Sequence, residues 1–116
     1  MEINVETLGT KSIDEIDFEK SGGLVPVIVQ DVSTKEVLTL AYSNKESLEL
    51  AKKTGNSWFW SRSRNKLWMK GEESGNTQKI VKIFVDCDSD AIIYLVEPSG
   101  PACHLGERTC FHNSLE

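Results

Sequence analysis

The sequence predicts an α+β fold in a single domain spanning 1–116, built mainly from antiparallel strands and hairpins with one or two helices. Two observations lead to this prediction. Runs of β-branched and aromatic residues are separated by short turns, which is the pattern of consecutive hairpins. Only the segment KESLELAKKTG combines helical spacing of apolar residues with a capping residue at each end.

The first half of the chain predicts a helix, a hairpin and a second helix. Ser12 and Glu15 have the spacing of a capping box and predict a short helix near 12–19, which the following SGG ends. The runs LVPVIVQD and EVLTLAYS predict two strands joined by the turn VSTK. The second helix begins after Asn44, a favourable N-cap, and ends before Gly55, a favourable C-cap.

The second half predicts further strands and a loop-like tail. SWFWSRS (57–63) alternates large and polar side chains, and KLWMKG (66–71) returns after the turn RN. A polar loop then leads to KIVKIFVD (79–86) and to IIYLVE, two apolar runs that flank the acidic stretch DCDSD at 86–90. The chain from Pro98 onward is rich in glycine and polar residues and predicts irregular structure.

The composition predicts a cytoplasmic protein that binds neither membranes nor nucleic acids. The sequence is 39% hydrophobic with a formal net charge of −5, and it shows neither a signal peptide nor a membrane span. Net acidity argues against nucleic-acid binding, which requires many phosphate contacts. Between Arg62 and Lys82, however, six basic side chains outnumber two acidic ones. This segment fits either a small anionic ligand or an ordinary solvated surface.

Acidic residues and cysteines together predict metal sites. Asp86, Asp88 and Asp90 supply oxygen ligands that suit Mg²⁺ or Ca²⁺, although a solvated hairpin turn also explains them. In a reducing compartment, an odd number of cysteines favours metal binding or chemistry over a disulfide framework. The cysteines are Cys87, Cys103 and Cys110. Three thiolates with an open position would make a catalytic zinc site, whereas a histidine as fourth ligand would make a closed structural one.

Aromatic and basic side chains share the hairpin predicted around residue 64. Aromatic faces stack on heterocyclic bases, and arginine binds phosphate through two hydrogen bonds. The alternative is that the tryptophans belong to the core and the cations to its solvated edge. The combination predicts a phosphorylated heterocyclic ligand. The residues predicted to bind it here are Trp60, Arg62, Arg64, Lys66 and Lys70.

Three segments resemble the motifs of the phosphoribosyl-AMP cyclohydrolase family: WFWSRSRNKLWMKGEESGNTQ, VDCDSDA and GPACHLGERTCF. With GLVPVIVQD and EVLTLAYSNKESLELAKKTG, the similarity extends over residues 22–112. Ser43 departs from the family pattern, which has methionine there, and we expect this difference to affect packing rather than activity. The chain ends soon after TCFHN, which predicts a monofunctional form without the pyrophosphohydrolase domain of bifunctional relatives.

The resemblance implies a hydrolase of histidine biosynthesis that opens the adenine ring of N1-(5-phosphoribosyl)-AMP at the N1–C6 bond. It implies that the three cysteines bind Zn²⁺ and that the three aspartates bind Mg²⁺. It also implies a homodimer with sites at the subunit interface, where cysteines from both chains bind each zinc ion.

The remaining site residues are assigned by their chemistry. His104, beside Cys103, is the candidate proton shuttle because histidine titrates in the appropriate range, and the alternative is that it only orients a thiolate or loop. The polar loop residues that would read the purine edge or the ribose are Ser74, Gly75, Asn76 and Gln78. The main alternative function is a non-catalytic structural zinc-binding module. A nucleobase deaminase is disfavoured because the H-x-E…P-C-x-x-C signature is absent.

Overall fold

The α+β fold predicted from the sequence is confirmed by the computed structural model, which describes residues 9–116. Within these residues, one α-helix packs with six strands that form two sheets. The elements are β1 (Val25–Asp31), β2 (Val37–Ser43), α1 (Lys45–Thr54), β3 (Trp58–Ser61), β4 (Lys66–Met69), β5 (Gln78–Val85) and β6 (Ile92–Pro98). In this part of the chain, no helix has the length and apolarity that crossing a membrane requires.

The larger sheet joins two antiparallel strand pairs through one parallel pair. Its strand order is β2-β1-β6-β5, while β3 and β4 form a separate two-stranded sheet. β1 pairs antiparallel with β2, and β5 pairs antiparallel with β6. The parallel pairing of β1 with β6 places Val27 beside Ile92. As a result, the turn between β5 and β6 lies beside the beginning of β1.

The helix α1 has the caps that its sequence predicts. The Asn44 side chain accepts a hydrogen bond from the Ser47 backbone N–H at 2.8 Å, and the Asn44 N–H donates to Ser47 Oγ at 2.9 Å. At the other end, Gly55 adopts a left-handed conformation with φ of 75°, which glycine tolerates without strain. Leu48 and Ala51 are buried on the face that packs towards the larger sheet.

The helix predicted near 12–19 is wrong in length. The capping contact is present, since the Ser12 N–H donates to the Glu15 carboxylate at 2.6 Å, but the structure contains only two single 3₁₀ turns, Ile13–Glu15 and Glu19–Ser21. Between them Ile16 is extended and buried, and the next backbone N–H donates to Ser89 O at 2.8 Å. These tertiary contacts replace a further helical turn, because an isolated short helix gains little from propagation.

The core lies on one face of the larger sheet, between that face and a layer formed by α1 and the β3–β4 hairpin. Every second side chain of β1 belongs to it, so that Val25, Val27 and Val29 are fully buried. The opposite face carries a row of apolar side chains, one from each strand, which the pairing registers align. In order across the sheet, this apolar row consists of Leu40, Ile28, Ile93 and Phe84. All four side chains remain partly or substantially exposed.

Candidate metal and substrate site

The acidic stretch 86–90 forms a tight turn between β5 and β6. The Asp86 N–H donates to Ala91 O at 3.1 Å, and Asp86 Oδ1 accepts from the N–H groups of Asp90 and Ala91 at 2.9 and 3.2 Å. Ser89 adopts a φ of 62°, which closes the turn. Through this folding, one carboxylate oxygen from each of Asp86, Asp88 and Asp90 lies within 4.8 Å of the others. Three hard oxygen donors at this separation fit a Mg²⁺ ion.

Two lysines contact the acidic turn in different ways. Lys20 Nζ donates to Asp90 Oδ2 at 2.6 Å and lies 3.5 Å from Asp88 Oδ2. Lys11 Nζ instead donates to the main-chain oxygens of Asp86 and Cys87, at 3.0 and 2.9 Å, and to a serine hydroxyl of the turn. The side chain of Lys20 therefore meets the carboxylates, whereas that of Lys11 meets the backbone.

The pKa values of two carboxyl groups of the turn, Asp88 and Asp90, are shifted in opposite directions. The hydrogen bond from Lys20 is the main cause that lowers the pKa of Asp90 to about 2, and hydrogen bonds with the other two aspartates add to it. The pKa of Asp88 is raised, first by its hydrogen bond with Asp90, then by desolvation and by the neighbouring Asp86. The pKa of Lys20 is raised, chiefly by its hydrogen bond to Asp90. A cation beside these oxygens is thus electrostatically favourable.

The three cysteines lie at different places in the chain's fold. Cys87 is exposed in the acidic turn, Cys103 is buried in the tail, and Cys110 is exposed. The Cys110 N–H donates to Leu38 O at 2.7 Å, so the tail runs along the outer edge of β2. That edge is three strand spacings from β5, a lateral distance of about 14 Å. Among the described residues, the three thiols do not form a cluster comparable to that of the carboxylates.

Several contacts hold the tail against β2. Arg108 forms an ion pair with Glu36 at 2.8 Å, and the Thr109 hydroxyl donates to Val37 O at 2.7 Å. The Cys103 N–H donates to Glu107 O at 3.1 Å, which closes the loop between the two tail cysteines. These contacts fix the segment of the tail that leads to Cys110.

The two histidines differ in their surroundings. His112 Nε2 lies 3.9 Å from Cys103 Sγ, whereas His104, the predicted proton shuttle, is exposed in the loop that follows Cys103. Sequence reasoning considered His112 only as a fourth zinc ligand. Its distance of nine positions from Cys103 gives no local signal that the two side chains meet.

The aromatic residues of the β3–β4 hairpin divide between the core and a cavity. Phe59 is fully buried and packs on Trp68 with ring centroids 5.0 Å apart. An open cavity of about 520 Å³ lies beside them, and Trp60 and Arg62 are among the residues that line it. The Arg62 guanidinium lies 3.9 Å from the centroid of the Tyr42 ring. Phe59 and Trp68 therefore pack in or against the core, while ligand binding by Trp60 and Arg62 stays a prediction.

The other predicted substrate residues differ in exposure. Arg64, Lys66, Ser74 and Gly75 are exposed, and Lys70 and Asn76 are partly exposed. The two ends of the loop that carries Asn76 lie close together. Gly71, at φ of 84°, leaves no room for a Cβ against the backbone of Asn76 and Thr77.

Gln78 lies in the interior, with 1% of its surface exposed and both side-chain polar atoms without a hydrogen-bond partner. Its role in substrate binding stays a prediction.

The fold and these clusters define a small α+β domain with three clustered carboxylates on one turn and an aromatic cavity beside the β3–β4 hairpin. The model of the phosphoribosyl-AMP cyclohydrolase family matches residues 39–112. A phosphoribosyl-AMP cyclohydrolase from Nitrosopumilus maritimus is 85% identical over 106 residues, which are 91% of this chain and 98% of that protein. One from Cenarchaeum symbiosum is 80% identical over 105 residues, 90% of this chain and 97% of that protein.

A bifunctional relative is also similar. The histidine biosynthesis bifunctional protein HisIE from Thermus thermophilus is 62% identical over 103 residues, 89% of this chain and 48% of that protein. The chain belongs to the phosphoribosyl-AMP cyclohydrolase family. The resemblance identified from the sequence motifs is confirmed, and so is the prediction of an enzyme.

Proposed function

We propose that this chain hydrolyses the adenine ring of N1-(5-phosphoribosyl)-AMP at the N1–C6 bond, as a zinc- and magnesium-dependent enzyme of histidine biosynthesis. The observation that carries the proposal is the 85% identity to a phosphoribosyl-AMP cyclohydrolase over 98% of that protein. A metal ion held by the acidic turn would supply positive charge for the phosphates of such a substrate, and the aromatic cavity would supply a flat surface for its base.

Magnesium is assigned to Asp86, Asp88 and Asp90. Their oxygens lie within 4.8 Å of one another, and their backbone is held by hydrogen bonds inside the turn. The bound ion would supply positive charge for the phosphates of the substrate. The turn itself contributes rigid positioning, because the Asp86 carboxylate is already oriented by two backbone N–H groups.

Zinc is assigned to the three cysteines of two chains acting together. Thiolate donors fit the metal, but two thiolates on one tetrahedral zinc ion are only about 4 Å apart. The span from the β5–β6 turn to the outer edge of β2 is several times larger. We therefore assign Cys87 of one copy together with Cys103 and Cys110 of a second copy. Bound zinc would supply a Lewis acid that makes water nucleophilic near neutral pH.

The apolar row on the open face of the larger sheet favours this dimer. An aligned row of aliphatic and aromatic side chains, with Leu40 44% exposed, is a surface that a second copy can cover. In a symmetric face-to-face pair, a two-fold axis parallel to the strands lays the β2 edge of one copy over the β5 edge of the other. The same arrangement brings the β2 edge, along which the tail of one copy runs, to the side of the sheet on which its partner carries β5.

Substrate positioning is assigned to the cavity and its rim. The Trp60 ring offers a stacking surface for the purine, and Arg62, already held over Tyr42, presents its guanidinium at the same opening. Exposed cations of the hairpin, Arg64 and Lys66, with Lys70 at the start of the next loop, would bind the two phosphate groups. The loop residues Ser74, Gly75 and Asn76 would contact the purine edge or the ribose.

Proton transfer is assigned to His104. The side chain is exposed and adjacent in sequence to Cys103, so it can exchange protons with solvent and with a substrate bound beside the tail. Ring opening requires a base for the attacking water and a proton for the departing ring nitrogen, and an imidazole can serve both in turn.

The activity test uses the purified, zinc-loaded protein with phosphoribosyl-AMP and Mg²⁺, and follows the absorbance change that accompanies opening of the purine ring. A Cys110→Ser variant is the test variant, and Asn113→Ser is the matched control in the same exposed tail. We expect turnover by the parent and the control and none by folded Cys110→Ser.

A folded, zinc-containing parent without turnover would overturn the proposal. The structural zinc module then predicts that zinc removal unfolds the chain.

A further inference from the structure

The ammonium group of Lys20 lies where a cation shared by two carboxylates of the acidic turn would lie. Its Nζ is 2.6 Å from Asp90 Oδ2 and 3.5 Å from Asp88 Oδ2, so it bridges two of the three side chains that the proposed magnesium site uses. We propose that Lys20 is an internal competitor of Mg²⁺: without metal, its positive charge offsets part of the negative charge of the turn, and it must leave the carboxylates for the metal to bind. This inference rests on the proposed magnesium role of the turn.

The backbone presents Lys20 to the turn independently of the ion pair. The Asp17 N–H donates to Ser89 O at 2.8 Å, which attaches the N-terminal segment to the turn through main-chain atoms. Asp17 Oδ1 in turn accepts from the Lys20 N–H at 3.1 Å and begins the 3₁₀ turn Glu19–Ser21. The ammonium group can therefore swing away while the segment stays attached, so the exchange needs only a side-chain rotation.

Exposure makes the ion pair exchangeable. The side chains of Lys20 and Asp88 are 53% and 60% exposed and that of Asp90 is 20% exposed, so water reaches the ammonium group and can replace it most readily at Asp88. A divalent ion attracts the same oxygens more strongly than a single positive charge does, and two cations at one pair of oxygens repel each other. Lys11 cannot play this part, because it donates to main-chain and hydroxyl oxygens and leaves the carboxylates open.

Magnesium binding to the full-length protein is the test, measured by calorimetry with MgCl₂ and without substrate. Lys20→Met removes the competing charge and keeps much of the side-chain volume, and Lys52→Met removes an equal charge from an exposed position on α1. From the strength of exposed ion pairs, we expect Lys20→Met to bind Mg²⁺ about two- to fivefold more tightly. Lys52→Met should bind Mg²⁺ as the parent does.

Thermal unfolding supplies a second readout that does not depend on activity. With chelator present, Lys20→Met should melt below the parent, because the three carboxylates then face one another without the ammonium group that contacts two of them. Added Mg²⁺ should raise the melting temperature of Lys20→Met by more than it raises that of the parent.

Unchanged or weaker Mg²⁺ binding by Lys20→Met would overturn the competition and leave the magnesium assignment intact, provided that Asp88→Asn still weakens binding. If parent, Lys20→Met and Asp88→Asn all fail to bind Mg²⁺, the magnesium assignment itself fails, and the competition fails with it.

Discussion

The assignment of each zinc ion to two chains predicts that two inactive variants restore activity when they share a dimer. Cys87→Ser removes the thiol of the acidic turn, and Cys110→Ser removes a thiol at the opposite edge of the sheet. Each variant alone lacks one ligand at both sites of its dimer and should be inactive. A mixed dimer contains one site with both substitutions and one site with neither.

The expected recovery of activity follows from the sharing of each zinc site between two chains. Because about 14 Å separates the two edges laterally, one chain cannot bring Cys87 and Cys110 to the same metal. Random pairing after co-refolding of equal amounts makes half of the dimers mixed, and each mixed dimer has one intact site of two. The mixture should thus recover about a quarter of the parent activity.

The assay is ring opening of phosphoribosyl-AMP by the co-refolded mixture, with zinc content measured in parallel. The matched control combines Cys103→Ser with Cys110→Ser, which remove ligands from the same side of the proposed site. No pairing of these two chains leaves a complete site, so the control should stay inactive. The reasoning is refuted if the first mixture stays inactive while its dimers form, or if the control recovers as much activity.

Three further results are expected. The folded pKa of Asp90 is depressed from 3.8 to about 2, so its contribution to stability is present above pH 3.8 and is lost as the pH falls towards 2. Carboxyl NMR titration should show this pKa rising in Lys20→Met, and an unchanged value would mean that the lysine is not its main cause. Tyr94→Phe should lower the free energy of unfolding, measured with denaturant, by about 1 kcal/mol, since the Tyr94 hydroxyl donates to Trp58 O at 3.1 Å. Gln78→Met should be neutral or stabilise by about 1 kcal/mol, because the buried amide has no partner; a clear loss of stability would show that its polar atoms are satisfied.

Local signals in the sequence predicted most of the elements. Asn44 and Gly55 define the ends of α1 because each satisfies main-chain groups at its own end of the helix. The β-branched residues of β1 predicted a strand, and the alternating burial of its side chains shows one buried face. The acidic turn was predicted as the connection between two strands, where the structure has it.

Contacts between distant segments were beyond sequence reasoning. The parallel pairing of β1 with β6 depends on a match across more than sixty positions, for which periodicity contains no information. The failure of the helix near 12–19 has the same origin, because the extended backbone at Ile16 is set by contacts with the distant turn. Gln78 was assigned to substrate from the polarity of its neighbours, although the side chain lies inside.

In the proposed scheme, the acidic turn contributes ligands to both metal sites, but only the zinc site depends on the assembly of two chains. Its three carboxylates face one another and can hold a hard cation within one chain, whereas Cys87 is exposed and has no thiol partner nearby among the described residues. In the proposed scheme, magnesium therefore binds to a single chain and zinc binds only to a pair of chains. Dilution that separates the chains should then release zinc and end activity while Mg²⁺ binding persists. This order of losses distinguishes a shared zinc site from one completed within a single chain.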